Sequence, residues 1–388
     1  MPGSHCDVLL PVLWICGPPG VGKSTVGWRL YRQLRESGSA VAYVDIDQLG
    51  MCYPEQPSDA GRHRLKARNL QRVVANFATA GAHGVVVSGV VDSAGSAIEE
   101  ELGRERIISC RLDAQDEVIG ARFLGRGGEQ GDFAEVLADA EAMRQSRADI
   151  AVDTTGRSID EVVGLIRARL GSWPLRSHGA ISVVPAESAG NGQGDLPRSI
   201  VWVCGPTGVG KSAVGFAYYQ TLLARGLTVG YLDSEQLGFY GVGAHELRAQ
   251  NIAVVAQLFR AAGAADVVVS GPLGGEPDLV VYRRALPGAA ITVCRLHATR
   301  DVLLRRITAR GRGEGWAQPG DPLLGQPDSY LRAVAARAAV DAEALERATF
   351  GHRVDTSQLD TGTASQQVAA GLPTPLDGGR RSRSDRAE

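Results

Sequence analysis

Lysine is almost missing from this chain. Among 41 Lys and Arg residues only three are lysines, Lys23, Lys66 and Lys211. Arginine supplies the rest, as a GC-rich coding bias would produce. Acidic residues number 43, so the net charge is −2 and no overall attraction to nucleic acid or a membrane surface follows. The one basic cluster, Arg380 to Arg386, is interrupted by Ser and Asp and reads as a solvated tail. No apolar run approaches the roughly 18 residues of a membrane span. The N-terminus has no basic segment leading into a long apolar one, which argues against a secretory signal. A soluble, cytoplasmic protein with no membrane partner is the expectation. Cysteine is sparse as well: six residues, with no Cys-x-x-Cys spacing to suggest zinc. Cys16, Cys110, Cys204 and Cys294 fall in apolar segments, where a free thiol behaves as a small hydrophobe. That usage fits a reducing compartment.

Two of the three lysines end the same pattern. Leu13 to Thr25 read LWICGPPGVGKST, and Val201 to Ala213 read VWVCGPTGVGKSA. Each is an apolar run closed by Gly-x-x-x-x-Gly-Lys-Ser, the phosphate-binding loop or Walker A pattern. Gly17, Gly20 and Gly22 in the first copy, and Gly205, Gly208 and Gly210 in the second, let the backbone curl with its N–H groups pointing inward. Lys23 and Lys211 add a compact charge, Ser24 and Ser212 can hold Mg²⁺, and Thr25 and Ala213 complete the loops. A triphosphate tail carries several negative charges, and backbone N–H groups at a helix N-terminus neutralise them without bulky side chains. ATP with Mg²⁺ is the expected ligand of both loops.

At 388 residues the chain is long enough for two domains. Apolar runs at Val8 to Ile15, Val41 to Val44, Val85 to Val87, Ile107 to Leu112 and Asp149 to Val152 read as strands. Between them, Val26, Leu30 and Leu34, and then Leu70, Val73, Val74 and Phe77, mark one apolar face of a helix each. Ser158 to Glu161 is a capping box that starts a closing helix. This alternation predicts an α/β fold of two tandem P-loop NTPase domains of kinase type. Each is expected to be a parallel five-stranded sheet covered by helices on both faces. The expected boundaries are 8–172 for the first domain, 173–197 for a Ser-, Gly- and Pro-rich linker, 198–370 for the second domain, and 371–388 for a disordered tail.

The offsets make the repetition explicit. Gly17 and Gly205, like Asp45 and Asp233, lie 188 positions apart; Asn69 and Asn251, like Ser88 and Ser270, lie 182 apart. The second copy has therefore lost six residues after its second strand. Arg126 matches Arg310, and Asp153 matches Asp355, with an extra segment around Glu314 to Ser329 between them. The last helix of the second copy is expected to start at the pair Thr363 and Gln366.

Further absences narrow the chemistry. No Asn/Thr-Lys-x-Asp motif follows either loop, which argues against a GTPase. The third strands end in Ser88-Gly89 and Ser270-Gly271 without an Asp-Glu pair, which argues against AAA-type and transporter ATPases. What is present suits phosphoryl transfer. Asp45 and Asp47 put two carboxylates beside the phosphates, one to accept the proton of an acceptor hydroxyl and the other to order Mg²⁺-bound water or substrate. Arg122 and Arg126, four residues apart beside a Gly-rich turn, could be delivered by a closing lid to stabilise the transferring charge; a solvated helix face is the alternative. Asp233, Arg306 and Arg310 are their counterparts in the second copy.

The run Asp45-Ile46-Asp47-Gln48, followed by Arg68-Asn69-Leu70-Gln71-Arg72 and an Ala/Phe helix ending Ala80-Gly81, resembles the adenylylsulfate kinases. More loosely it is similar to shikimate, gluconate and nucleoside monophosphate kinases. The resemblance implies that Asp45, Asp47, Arg68 and Asn69 line an acceptor site. It also implies that Asp153 and Thr154, with Asp355 in the second copy, belong to a loop that cradles adenine. The second copy has Asp233-Ser234-Glu235 and Gln250-Asn251 at the acceptor positions, so Glu235 and Asn251 are its candidate acceptor residues. Catalysis is expected first in the first copy, with ATP, Mg²⁺ and a small hydroxyl or phosphate acceptor. Two other readings stand beside it. One is an ATP-binding regulator or assembly module; the other is a polynucleotide kinase, which needs a basic groove that the net charge does not promise.

Overall fold

The computed structural model describes residues 10–92, 96–125, 132–174, 195–237, 239–241, 245–314 and 321–372. In the first half β1 (Val12–Cys16), α1 (Lys23–Glu36), β2 (Val41–Asp45), β3 (Cys52–Tyr53), α2 (His63–Thr79) and β4 (Gly84–Ser88) are followed by α3 (Ser96–Leu102), β5 (Ile107–Asp113), α4 (Asp116–Leu124), α5 (Phe133–Gln145), β6 (Ile150–Asp153) and α6 (Ile159–Leu170). Five strands form a parallel sheet in the order β2-β4-β1-β5-β6. The central strands are buried on both faces and rich in Val, Ile and Leu, as a helix-covered parallel sheet requires. The capping box at Ser158 is present, with reciprocal bonds to Glu161.

The second half contains β7 (Ser199–Cys204), α7 (Lys211–Ala224), β8 (Val229–Asp233), α8 (His245–Ala261), β9 (Asp266–Ser270), α9 (Glu276–Ala285), β10 (Ala290–His297), α10 (Arg300–Gly311), α11 (Asp328–Glu346), β11 (His352–Asp355) and α12 (Thr361–Ala370). Its parallel strands run β8-β9-β7-β10-β11, the same order as in the first sheet. A sixth strand departs from the expected five. β3 of the first half pairs antiparallel with β8, Cys52 opposite Gly230 and Tyr53 opposite Val229. The last helix starts earlier than expected, because Asp360 rather than Thr363 is its cap and accepts the Thr363 N–H at 2.7 Å.

The halves exchange matching contacts. The Tyr231 N–H donates to the Met51 carbonyl at 2.8 Å, and the Tyr43 N–H donates to the Phe239 carbonyl at 3.3 Å. Tyr43 and Tyr231, and Met51 and Phe239, are both 188 positions apart, so this is one contact made in both directions, as in a twofold interface. The Phe239 ring fills the aromatic cluster of Trp28 and Tyr43. Helices α2 and α8 pack together, and one continuous core holds Leu70, Val73 and Phe77 with Ile252, Val255 and Phe259. Each such fully buried side chain contributes roughly 1.5–3 kcal/mol, so the halves behave as one packed body. Trp173, where the linker was expected to begin, is buried against the first half's other core. The rest of that stretch, 175–194, and the tail from 373 lie outside the described residues.

Candidate phosphate-binding and acceptor site

The two phosphate loops have one geometry. Gly17 and Gly205 take φ of 143° and 150°, Gly20 and Gly208 both take 81°, and Gly22 and Gly210 take 101° and 102°. At the first of these positions a side chain is also blocked by packing. A Cβ on Gly17 would lie 2.3 Å from the Leu112 carbonyl oxygen, and one on Gly205 would lie 2.7 Å from that of Leu296. Helices α1 and α7 start at Lys23 and Lys211, which aims their unpaired N–H groups and positive dipole ends at the loop. The lysine Nζ atoms fold back on their own loops, Lys23 onto the Pro18 carbonyl at 2.9 Å and Lys211 onto that of Pro206 at 3.3 Å. Thr25 is exposed and Ala213 half-buried at the same helix starts.

Behind each loop stands a buried carboxylate. Ser24 Oγ donates to Asp45 Oδ2 at 2.9 Å, and Ser212 Oγ donates to Asp233 Oδ2 at 2.7 Å. The second oxygen accepts a backbone N–H, from Asp47 at 3.1 Å and from Glu235 at 3.0 Å. Burial, helped by the nearby Asp47 charge, pushes Asp45 up to about 6, against the opposing pull of Ser24, the Asp47 N–H and Lys23. Burial and the Glu235 charge raise Asp233 in the same way. A hydroxyl and a carboxylate at this spacing form a hard oxygen donor set, which fits Mg²⁺. A cation there would relieve the burial of Asp45. Among the described residues no group of three or more His, Cys, Asp or Glu could hold a metal. The ion's remaining ligands would be phosphate oxygens and water.

At the positions expected to line an acceptor, the structure brings a different side chain to Asp47. Asp47 is paired not with Arg68 but with Lys66, whose Nζ donates to Asp47 Oδ1 at 2.7 Å and to the Val90 carbonyl at 3.1 Å. Arg68 is exposed and bonds Glu101 at 3.0 Å. Two residues around a helix is a turn of about 200°, so Lys66 and Arg68 cannot face the same way. Asn69 is fully buried, and its Nδ2 donates to the Leu49 carbonyl at 2.7 Å; Asn251 does the same to Leu237 at 2.5 Å. These asparagines brace the loop after Asp45 or Asp233. The second half has Arg248 where the first has Lys66, with its Nε buried and lacking a hydrogen-bond partner. Glu235 Oε2 lies 3.9 Å from the Lys211 ammonium. The signal for Lys66 was present in the sequence. His63-x-x-Lys66-x-x-Asn69 recurs as His245-x-x-Arg248-x-x-Asn251 at the same offset of 182, and Lys66 is the one lysine outside the phosphate loops.

Residues 13–144 match the family described as AAA domain. That span runs from β1 through most of α5. The match falls on the loop and sheet, while Ser88-Gly89 still lacks an acidic pair. A loop of this geometry opening a 2-4-1-5-6 parallel sheet, with a Ser–Asp pair behind it, decides the fold. It is a P-loop α/β fold. Similar solved structures include a tunicamycin resistance protein of Deinococcus radiodurans, 19% identical over 44% of this chain and 94% of its own, with a TM-score of 0.32. A gluconokinase of Sinorhizobium meliloti is 21% identical over 45% and 91%, TM-score 0.31. An APS kinase of Mycobacterium tuberculosis, solved with AMPPNP and APS, is 17% identical over 46% and 99%, TM-score 0.29. No curated protein sequence matches the chain.

In this P-loop fold the expected lid arginines are anchored. Arg122 Nη1 donates to Thr154 Oγ1 at 3.0 Å and to the Val21 carbonyl at 3.5 Å, and Nη2 donates to the Thr154 carbonyl at 3.4 Å. Arg306 repeats the arrangement with Thr356 and Val209, at 3.0, 3.0 and 2.8 Å. Each guanidinium ties the phosphate loop to the loop after the last strand, so neither is carried on a separate flap. Arg310 Nε bonds Asp321 at 2.5 Å, and Arg126 lies outside the described residues. Thr154 is buried at that last-strand loop. Asp153 is exposed and held low by the Thr155 N–H. Although partial burial works against it, Asp355 is held near about 2 by Ser357, Arg353 and His297.

Proposed function

We propose that the chain is an ATP- and Mg²⁺-dependent phosphotransferase made of two duplicated halves, with the chemistry in the first. The observation that supports this most is the buried Asp45, bonded to the phosphate-loop Ser24 and followed by Asp47 on Lys66. Lys23 and the loop N–H groups would hold the β- and γ-phosphates. Mg²⁺ beside Ser24 and Asp45 would neutralise the charge on the phosphates. Asp45 would accept the proton of the acceptor hydroxyl as its oxygen attacks the γ-phosphorus and the bond to ADP breaks. Lys66 would position Asp47 against the acceptor and supply positive charge on that side.

The similarity to a gluconokinase and an APS kinase makes small hydroxyl compounds the first acceptors to try. The test is ATP consumption by the full chain over a panel of nucleosides, sugars and adenylylsulfate. If no acceptor stimulates turnover and Asp45→Ala leaves ATP consumption unchanged, the proposal fails. A second reading, an ATP-binding regulator, draws support from the second half, where Glu235 approaches Lys211 and Arg248 Nε is buried without a hydrogen-bond partner among the described residues. It expects calorimetry to find nucleotide bound without turnover, and Lys211→Ala to change the affinity of the first half.

A further inference from the structure

The segment that distinguishes the halves builds a separate cavity. Eleven residues lie between Met51 and His63, against five between Phe239 and His245. The longer segment folds over the end of α8: β3 pairs with β8, and Gln56 Nε2 donates to the Ala262 carbonyl at 2.8 Å. Between the two lies a cavity of about 170 Å³, none of whose lining residues belongs to a phosphate loop or to the Asp45–Asp47 turn. Leu65, Leu258 and Ala262 give it an apolar side, and Arg62, Arg64 and Arg68 line it with positive charge.

The two acids on its wall are already engaged. Asp59 accepts the Arg64 and Leu65 N–H groups, each at 2.9 Å, and so caps α2. Glu55 accepts the Gly61 N–H at 3.0 Å and Arg62 Nη1 at 3.3 Å. Arg68 is paired with Glu101. What is left is the exposed Arg64 guanidinium and the rest of the Arg62 guanidinium, which is held to Glu55 through Nη1 and whose Nε is buried without a hydrogen-bond partner. Arg62 is the one non-glycine among the described residues at positive φ, 57°, and its guanidinium stacks 3.8 Å over the Tyr53 ring. That backbone costs a side-chain-bearing residue roughly 1–2 kcal/mol, and glycine adopts it freely. An arginine at this place therefore trades backbone ease for a fixed guanidinium, which is the donor best matched to an oxyanion.

We propose that this cavity binds a small metabolite through a phosphate or carboxylate group on Arg62 and Arg64, with its short apolar part against α8. The site exists only where the first half's longer segment meets the second half, and it does not depend on the phosphotransferase reading. The test is calorimetry on the full-length chain in a Lys23→Ala/Lys211→Ala background, so that the phosphate loops contribute little. Inorganic phosphate and butyrate are the two probes. Saturable binding of one equivalent of either probe is expected, and whichever binds tells phosphate from carboxylate as the recognised group. Adding Arg62→Gly, or separately Arg64→Gln, should weaken it at least tenfold. Glycine relieves the backbone at 62 but gives up the Glu55 pair and the Tyr53 stack, so the melt of Arg62→Gly without probe serves as its own baseline. Bound probe should raise the melting temperature of the parent and not of Arg62→Gly. The proposal is overturned if neither probe saturates, if Arg62→Gly binds as its parent does, or if Arg62→Gly melts lower by the same amount with and without probe.

Discussion

The two halves agree where backbone sets the site and differ where side chains do. The φ angles of their phosphate loops match to within 7° at three glycines, and each has a serine on a buried aspartate and an arginine on a threonine. The positions proposed for an acceptor carry Asp47 on Lys66 in one half, and Glu235 near the phosphate-loop lysine with Arg248 in the other. The reason is mechanical. Gly20 and Gly208, at φ of 81°, are crowded by Ile119 and Ile307, and Gly22 and Gly210, near 101°, hold a backbone that side-chain-bearing residues rarely adopt, so these positions tolerate almost nothing else. Positions 66 and 248 sit on helices whose inward faces hold the fold whatever the residue at the site end is. Asn69 and Asn251 have stayed alike because each carries a loop carbonyl.

The strongest way to break this comparison is to remove one phosphate-loop lysine at a time. Lys23→Ala should lower acceptor-stimulated ATP turnover by about 100-fold or more, the usual scale for losing one donor to a developing charge. Lys211→Ala should lower it by less than about tenfold, the loss of a binding partner rather than of a reacting group. Equal losses in steady-state assays would mean that chemistry is not confined to the first half.

A second contrast uses pH. The folded Asp45 carboxyl titrates at about 6 against an ordinary value of 3.8. The folded chain therefore holds this proton more tightly than the unfolded chain does. Its stabilising effect is full below pH 3.8 and is lost as pH rises through 6. At pH 7.5 the ionised, unliganded group costs up to about 3 kcal/mol, since one pKa unit is about 1.4 kcal/mol. Asp45→Asn should thus stabilise the nucleotide-free chain at pH 7.5 and hardly at pH 4 in urea melts. Asp233→Asn should shift in the same direction, because burial raises it too. Only Asp45→Asn should abolish turnover, and wild-type kcat/KM for ATP, which reports the free protein, should rise with pH toward a plateau above about 6. A melt of Asp45→Asn that falls below wild type at pH 7.5 would contradict the burial argument.

The acceptor side gives a smaller effect. Lys66→Met keeps the buried stem's volume and leaves Asp47 without its cation. It should reduce kcat/KM by about 30-fold, near 2 kcal/mol, within the range for orphaning a charged hydrogen-bonding group. Arg248→Met should change kcat/KM by less than about threefold on the same scale. Comparable losses in the two variants would erase the distinction between the acceptor sides.

Much of the donor site was legible because its grammar is local: strand, glycines, Lys-Ser, helix, and an Asp at the end of the next strand. Lys66 was harder to place. The resemblance pointed to the adjacent Arg68-Asn69 pair, and only helical phase shows that 66 faces Asp47 while 68 faces Glu101. Arg122 was read either as a lid residue, from its Gly-rich surroundings, or as part of a solvated helix face. Its bonds to Val21 and Thr154 join segments about a hundred and about thirty residues away, which no local pattern encodes. The exchange of Met51 and Phe239 between sheets was invisible for the same reason. A two-residue strand has no periodicity to read.

The smallest contrast lies in the interface itself. Asn76 Nδ2 donates to Asn251 Oδ1 at 2.9 Å, whereas Asn69 Oδ1 is buried without a partner. The residue 182 positions beyond Asn76 is Leu258, which cannot donate. The twofold relation between halves is therefore broken at one hydrogen bond. Asn76→Ala leaves the Asn251 oxygen as unpartnered as that of Asn69, and should cost about 1–2 kcal/mol. In a double-mutant cycle, Asn76→Ala and Asn251→Ala should couple by about 1 kcal/mol, because they share that bond. Asn76→Ala and Asn69→Ala should add to within about 0.5 kcal/mol, because they share none. Urea denaturation of the four chains in each cycle measures both terms. If the two couplings came out equal, Asn76 would be acting through general packing of α2 on α8 and the asymmetry would carry no energetic weight.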